Sequence, residues 1–307
     1  MAHTEDMILL AEPYGRSYAH LSDAKPEERT VAAVFVHGLL GDPVSTWWRF
    51  QTLVDEDERS RDFWNHCDLY FYRYDSFGHH VPELSEQLRG FLSLVFPSPS
   101  RKIFELAVLP EIREIFAPGA PFQEPTLPGS YQSLLLVGHS LGGVVIRQAL
   151  VDFAAIWKIQ AAERLRTEPY LKSGVRLFSP AIRGFQPTGV RGIIYHYLAT
   201  HPFVGAVCES LTSLQELKKD SQRLSDLQRD TERFAKEYPW MTALSADLLY
   251  ASTDVVYPGR YQCDLPQRTE PDSYHESICK PHSKYPEPLW FAQLGVNYTR
   301  SNSARSQ

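Results

Sequence analysis

The segment Gly138-His139-Ser140-Leu141-Gly142 places a serine between two glycines, each two residues away from it. This G-x-S-x-G pattern is typical of a nucleophile elbow, a sharp turn between a strand and a helix that exposes the serine hydroxyl. Larger side chains at the glycine positions would collide with the neighbouring strand and helix. Apolar residues precede the motif and a long helical pattern follows it, which is the context that the elbow requires. The pattern therefore predicts Ser140 to be a nucleophile.

A serine nucleophile needs hydrogen-bond donors that stabilise the oxyanion formed when it attacks a carbonyl. In an elbow of this kind, one N–H comes from the residue after the nucleophile, here Leu141, and a second from the loop after an earlier strand. The segment His37-Gly38-Leu39-Leu40-Gly41 follows an apolar run and places Leu39 where the second donor is expected. His37 is then predicted to position the loop and not to act as the base.

The general base is expected to be a histidine that follows Ser140, because the order in this arrangement is serine, acid, histidine. The histidines after Ser140 are His196, His201, His275 and His282. The first two precede the last predicted strand, whereas His275 lies in a loop after it. We predict His275 to be the base and keep His282 as the alternative.

The acid of such a site holds the imidazole in the correct tautomer and stabilises the imidazolium. Asp254 follows a predicted strand by a short turn, which matches the expected start of the acid loop. Asp247 is the alternative if the strand ends earlier, at Ala246. Asp272, three residues before His275, is interpreted as a turn former.

The elements that would position these residues alternate along the chain. The run at 31–36 is apolar on every side and predicts a buried strand. Further strands are predicted at 68–74, 133–137, 175–178 and within 241–252. Apolar residues at three- and four-residue spacing predict helices at 82–95 and 141–159. Strands that alternate with helices indicate an α/β fold with a mostly parallel central sheet and flanking helices.

Two segments depart from this alternation. Residues 101–122 hold a short helical pattern and a proline-rich stretch, and residues 203–238 are mostly helical and highly charged. The second segment is either a lid over the site or a solvated helix at the sheet edge. We predict a single domain over residues 1–300 with a lid-like helical insertion at about 184–238, and a polar, disordered tail at 301–307.

Composition excludes several classes of protein. Of the 307 residues 43% are hydrophobic, enough for one large core, and 31 basic against 37 acidic residues give a net charge of −6. This balance offers no broad attraction to nucleic acid or anionic lipid. The longest apolar runs have the length of strands, so no transmembrane segment is expected. Four cysteines without a CxxC pair, and an N-terminus unlike a secretory signal, predict reduced thiols in the cytoplasm.

No pattern in the sequence points to a cofactor or a metal. A P-loop, a dinucleotide fingerprint and a zinc-ligand spacing are absent, and His79-His80 lacks partners at ligand spacing. Trp47 and Trp48, just after the HGLLG segment, either line an acyl pocket or pack on the sheet. We favour packing on the sheet.

Four segments together resemble a known family: VFVHGLLGDPVSTW, LLLVGHSLGGVVIRQAL, RLFSPAIRG and YHESICKP. They are similar to the serine-esterase branch of the α/β-hydrolases. The closer likeness is to the serine active-site containing proteins and to the hydrolase domains fused to STAND-type NTPases. The resemblance spans roughly residues 30–285 and implies an α/β-hydrolase fold, a triad of Ser140, an acid and His275, and carboxylic-ester or acyl-transfer chemistry.

The sequence departs from the family pattern at three places. Tyr274 stands where an acidic residue usually precedes the late histidine, and the SPAIRG segment at 179–184 lacks the histidine of the relatives' T-P-H-x-G. The position of the acid also varies within the family, which keeps Asp247 open.

The sequence therefore predicts a cofactor-independent serine hydrolase that cleaves a small-molecule or lipid ester. One alternative is a silent or partner-regulated interaction module on a hydrolase fold. Another is an acyltransferase, thioesterase or amidase that uses the same triad. A protein partner or a homo-oligomer is left open.

Overall fold

The computed structural model describes residues 7–12, 15–76, 78–105, 125–186 and 216–294. The strands are β1 (Ile8–Glu12), β2 (Gly15–His20), β3 (Val31–Val36), β4 (Cys67–Tyr72), β5 (Ser133–His139), β6 (Gly174–Phe178), β7 (Asp247–Thr253) and β8 (Arg268–Tyr274). The α-helices are α1 (Phe50–Glu56), α2 (Arg61–Trp64), α3 (Val81–Val95), α4 (Arg101–Glu105), α5 (Leu141–Ile159), α6 (Arg164–Leu171), α7 (Gln222–Glu237) and α8 (Glu287–Gln293).

The eight strands form one sheet in the order β1-β2-β4-β3-β5-β6-β7-β8. Strand β2 pairs antiparallel with both β1 and β4, and every other neighbouring pair is parallel. Parallel neighbours place their carboxyl ends at the same edge of the sheet, which is where ligands bind in open α/β sheets. This mostly parallel sheet with flanking helices confirms the predicted α/β fold class.

Both faces of the sheet are covered, which explains why the central strand β3 is apolar at every position. Along β3, alternate residues enter two separate cores because successive side chains point to opposite faces. Helices α3 and α5 cover one face with the larger core, while α1, α2 and α8 cover the other with a smaller core rich in phenylalanine and tryptophan. A strand buried on both faces reads as a continuous hydrophobic run.

The predicted elements agree with the structure in the centre of the sheet and fail at its edges. Strand β3 and helix α5 have the predicted bounds, whereas β4 begins and ends earlier than predicted. Strands β1, β2 and β8 were not predicted. The interpretation of Asp272 as a simple turn former was wrong, because it lies inside β8 with φ of 54°, beside a shift in the β7–β8 register.

The predicted insertion is described only at its two ends. Residues 187–215 lie outside the described residues, as do residues 106–124, most of the other departing segment. Within the described part, α7 buries Leu224, Leu227 and Phe234 in the same core as α5. The polar tail at 301–307 also lies outside the described residues.

Candidate active site

Five of the parallel strands end at one edge of the sheet and bring the polar residues of the site together. Ser140 follows β5, Ser179 follows β6, Asp254 follows β7 and His275 follows β8, each directly after the last strand residue. The HGLLG segment follows β3, which lies next to β5. The sequence-predicted nucleophile, acid, base and oxyanion loop therefore come from neighbouring strand ends.

Ser140 occupies a strained turn between β5 and α5. Its φ of 54° and ψ of −120° are unusual for a residue with a side chain, and such strain is typical of functional sites. The backbone fixes the turn on both sides, since the Ser140 N–H donates to Phe178 O at 3.0 Å and its carbonyl accepts from Ala181 N at 3.1 Å. These bonds hold the elbow against the end of β6.

Glycines let the HGLLG segment (37–41), which is the predicted oxyanion loop, and the nucleophile elbow approach each other. A Cβ atom on Gly142 would lie 2.2 Å from Val36 O, and one on Gly38 would lie 2.9 Å from Ser140 Cβ. Leu141 is the first residue of α5, where helix N–H groups have no intrahelical acceptor. In the HGLLG segment the Leu40 N–H donates to Ser76 Oγ at 3.1 Å.

Asp254 and His275 form a buried hydrogen-bonded pair. His275 Nδ1 lies 2.6 Å from Asp254 Oδ1, and because the carboxylate accepts, His275 carries its proton on Nδ1 and leaves Nε2 free to take a proton. Burial acts to raise the pKa of Asp254. The hydrogen bond and charge of His275, the Ser179 hydroxyl and the Val256 N–H outweigh burial, so that this pKa is lowered below its ordinary value. The carboxylate is thus held in its charged form.

His139 links the nucleophile elbow to the histidine loop. Its Nε2 donates to the carbonyl of His275 at 2.8 Å, and the two ring centroids are 4.8 Å apart. Burial, with the neighbouring His275 adding to it, lowers the pKa of His139 to about 3 and keeps its ring neutral. Ser140 Oγ itself makes no hydrogen bond to His275 among the described residues, and in ligand-free sites this bond is often long.

His37 makes structural contacts within the predicted oxyanion loop. Its Nδ1 donates to Gly38 O at 2.8 Å, while its Nε2 accepts from the Tyr74 N–H at 3.3 Å. The two rings stack with centroids 4.3 Å apart. Burial lowers the pKa of His37 to about 4. Because both ring nitrogens are engaged, the geometry agrees with the predicted positioning role.

The alternative site residues lie away from this constellation. Asp247 begins β7, at the opposite edge of the sheet, where Oδ2 lies 3.0 Å from Arg176 Nη1. His282 is exposed and stands in a small turn with Tyr285. His196 and His201 lie outside the described residues. The geometry favours Asp254 and His275 over their alternatives.

The two tryptophans after the oxyanion loop have different surroundings. Trp47 is fully buried among Phe35, Phe50 and Phe178, as packing on the sheet predicts. Trp48 is 56% exposed. In the described ranges, no group of three or more His, Cys, Asp or Glu side chains is placed to hold a metal, and no helix has the length and apolarity to cross a membrane.

Sequence reasoning missed the supporting roles of His139 and Ser179. His139 stands at the variable position of G-x-S-x-G, where the motif itself carries no information about what the side chain contacts. Ser179 directly follows the predicted strand 175–178, so the rule that strand ends meet at one edge could have placed it beside the acid. The SPAIRG segment at 179–184 was considered in the sequence analysis only because it lacks the histidine of the T-P-H-x-G pattern.

No family model and no curated protein matches the sequence. Several solved structures are similar to the chain at low identity. The mature lipase BlEst2 of Bacillus licheniformis has a TM-score of 0.46 and 16% identity, over 91% of this chain and 98% of that one. MGS-MChE2, an α/β hydrolase from a lagoon-sediment metagenome, has a TM-score of 0.45 and 14% identity, over 93% and 94% of the two chains. The naproxen esterase of Bacillus subtilis has a TM-score of 0.42 and 11% identity, over 89% and 86%.

Proposed function

We propose that this chain is a serine hydrolase that cleaves carboxylic esters through an acyl-enzyme on Ser140. The observation that carries the proposal is the buried Asp254–His275 hydrogen bond of 2.6 Å at the same sheet edge as the strained Ser140. A solvated surface histidine has no need of such a carboxylate, whereas a general base does. The proposed chemistry requires no cofactor.

In the acylation step, His275 Nε2 takes the proton of Ser140 Oγ as this oxygen attacks the ester carbonyl. The carbonyl oxygen becomes an oxyanion that accepts hydrogen bonds from the amides of Leu39 and Leu141. Asp254 holds the Nδ1–H and stabilises the imidazolium while it carries two protons. The tetrahedral intermediate then collapses, the bond to the alcohol breaks, and His275 returns its proton to the leaving oxygen.

Deacylation repeats these steps with water as the nucleophile. His275 removes a proton from the water as it attacks the acyl carbon, and the same two amides hold the second oxyanion. Collapse releases the carboxylic acid and returns the proton to Ser140 Oγ. An alcohol or amine in place of water would make the same site an acyltransferase, so the acceptor decides between the two activities.

A fluorophosphonate probe tests the proposal directly, because an activated serine attacks its phosphorus and expels fluoride. We expect the wild-type chain to be labelled, and Ser140→Ala and His275→Ala to lose labelling while they stay folded by circular dichroism. His282→Ala is the matched control, since it removes the exposed alternative histidine, and it should label like the wild type.

A substrate series then identifies the chemical class that is cleaved. p-Nitrophenyl esters of increasing acyl length, a thioester and an anilide separate esterase from thioesterase and amidase activity, and the preferred length measures the acyl pocket. Labelling that survives in Ser140→Ala would refute the proposal. A folded wild type that neither labels nor hydrolyses any of these compounds would favour the interaction module instead.

A further inference from the structure

Ser179 has the geometry of a third partner to the acid–base pair. It directly follows β6, is fully buried and has φ of 41°, a left-handed value that disfavours a side chain. Its hydroxyl donates to Asp254 Oδ2 and accepts from the Ala251 N–H at 3.1 Å. Its own N–H donates to Leu249 O at 2.7 Å, which fixes the residue to β7.

The two oxygens of the Asp254 carboxylate have different partners. Oδ1 accepts from His275 Nδ1 at 2.6 Å and from the Val256 N–H at 3.1 Å, whereas Oδ2 accepts from Ser179. The Gln186 side chain reaches Asp254 at its backbone carbonyl, at 3.3 Å, and not at its carboxylate. Among the described residues, Ser179 is thus the one side chain besides His275 that holds this carboxylate.

On the basis of the proposed function, we propose that Ser179 is a positioning residue that fixes the rotation of the Asp254 carboxylate, so that Oδ1 stays aligned with His275. The Ala251 N–H donates to the hydroxyl oxygen, which leaves the single O–H proton to point at Oδ2. Without that hydroxyl the carboxylate is free to rotate about its Cβ–Cγ bond. Rotation would weaken the support of the imidazolium in the transition state.

The strained backbone at Ser179 allows two substitutions to distinguish a positioning role from a purely structural role. Strain of this kind persists where the surrounding structure imposes it, and it gathers at functional sites. Glycine adopts φ of 41° without strain, so Ser179→Gly removes the hydroxyl and relieves the backbone, whereas Ser179→Ala removes the hydroxyl and keeps the strain. If Ser179 had only a structural role, Ser179→Gly would recover the activity and the stability that Ser179→Ala loses.

The test compares ester hydrolysis and fluorophosphonate labelling rates in these two variants. We expect kcat to fall about 10- to 100-fold in both, as for a lost hydrogen bond to a charged group, with KM changed less than about twofold. We also expect the acid limb of the kcat/KM profile to move to lower pH, because a carboxylate that rotates away from His275 stabilises the imidazolium less. Ser179→Gly should unfold at a higher denaturant concentration than Ser179→Ala.

Ser85→Ala is the matched control. Ser85 Oγ donates to Asp152 Oδ2 at 2.6 Å between α3 and α5, which is another serine–aspartate bond but lies outside the site. Its loss should lower stability and leave kcat and the pH profile unchanged.

A proton NMR measurement separates this inference from the proposed function. The Nδ1–H of His275 should give a downfield resonance in the wild type that is absent in Asp254→Asn, broadened in both Ser179 variants and intact in Ser85→Ala. A wild type that hydrolyses none of the esters, but whose resonance responds in this way, would support the positioning role of Ser179 and contradict the proposed esterase activity. A resonance, kcat and pH profile that are unchanged in Ser179→Gly would overturn the inference, even if Ser179→Ala fails to fold.

Discussion

At the scale of single residues, the choice of acid depends on which end of β7 a carboxylate occupies. Asp247 begins the strand and Asp254 follows its last residue, so seven residue steps, roughly 23 Å of extended chain, separate them. Asp254 meets His275, whereas Asp247 meets Arg176 and Arg268. The two aspartates that the sequence leaves as alternatives therefore have different partners, and their substitution should affect different properties of the protein.

We predict that Asp254→Asn lowers kcat by about 10²- to 10⁴-fold, because the amide no longer selects the Nδ1–H tautomer or stabilises the imidazolium. Asp247→Asn is the control, because it removes the charge that pairs with the buried Arg176. This substitution should lower the free energy of unfolding by about 1–3 kcal/mol and leave kcat unchanged. Steady-state kinetics and denaturant unfolding on both variants measure the difference. Comparable losses of kcat in the two variants would remove Asp254 from its proposed role.

The sequence predicts the residues of the proposed site where a motif or the chain order constrains them. Ser140 stands in a five-residue pattern, and His275 and Asp254 follow from the order serine, acid, histidine together with predicted strand ends. Ser179 and His139 have no such constraint. Their contacts with Asp254 and His275 span 75 and 136 residues, and only the folded sheet makes those residues neighbours.

At the scale of elements, the contact between α5 and the end of β3 has no room for a further atom. A Cβ atom at Gly142 would meet Val36 O at 2.2 Å and His37 O at 2.4 Å, both of them backbone atoms. Because the obstacle is backbone, no rotamer change relieves it. The start of α5 and the oxyanion loop would have to separate.

We therefore expect Gly142→Ala to lower the free energy of unfolding by about 3 kcal/mol or more and to reduce fluorophosphonate labelling, since the Leu39 and Leu141 amides move apart. Gly129→Ala is the matched control, because a Cβ atom there meets nothing within 4 Å. It should be neutral or stabilising by up to about 1 kcal/mol. Denaturant unfolding and labelling rates test the pair, and a stable, fully active Gly142→Ala would contradict the geometry.

The strands that the sequence did not predict, β1, β2 and β8, lie at or next to an edge of the sheet. Strand β8, with the sequence RTEPDSY, is an edge strand whose side chains are mostly exposed, so it shows no apolar run and no alternation. Strands β1 and β2 lie at or next to the opposite edge and pair antiparallel. Hydrophobic patterning detects burial, and it finds the central strands β3 to β7 because both of their faces are covered.

At the scale of the whole molecule, buried histidines couple folding to pH. Burial lowers the pKa of His37 to about 4 and that of His139 to about 3, against an ordinary value of 6.5. Both rings are neutral in the folded chain and take up protons more readily in the unfolded chain. The unfolded state thus binds more protons below pH 6.5, and stability must fall as the pH falls.

Asp254 acts in a separate range of pH. Its lowered pKa gives a stabilising contribution that is complete above its ordinary value of 3.8 and is lost as the pH falls below that value. Between pH 7 and pH 5 its contribution stays constant. The histidine effect can therefore be measured apart from the acid.

We predict that the free energy of unfolding falls by about 2 kcal/mol for each of the two histidines between pH 7 and pH 5. His139→Gln removes one titrating ring and keeps an N–H that can reach the His275 carbonyl, so about half of this pH dependence should disappear. Denaturant unfolding curves at pH 7, 6 and 5 measure the slope in both proteins. Equal slopes in the wild type and His139→Gln would contradict the prediction, because they would show that burial in the folded chain does not hold His139 neutral against protonation.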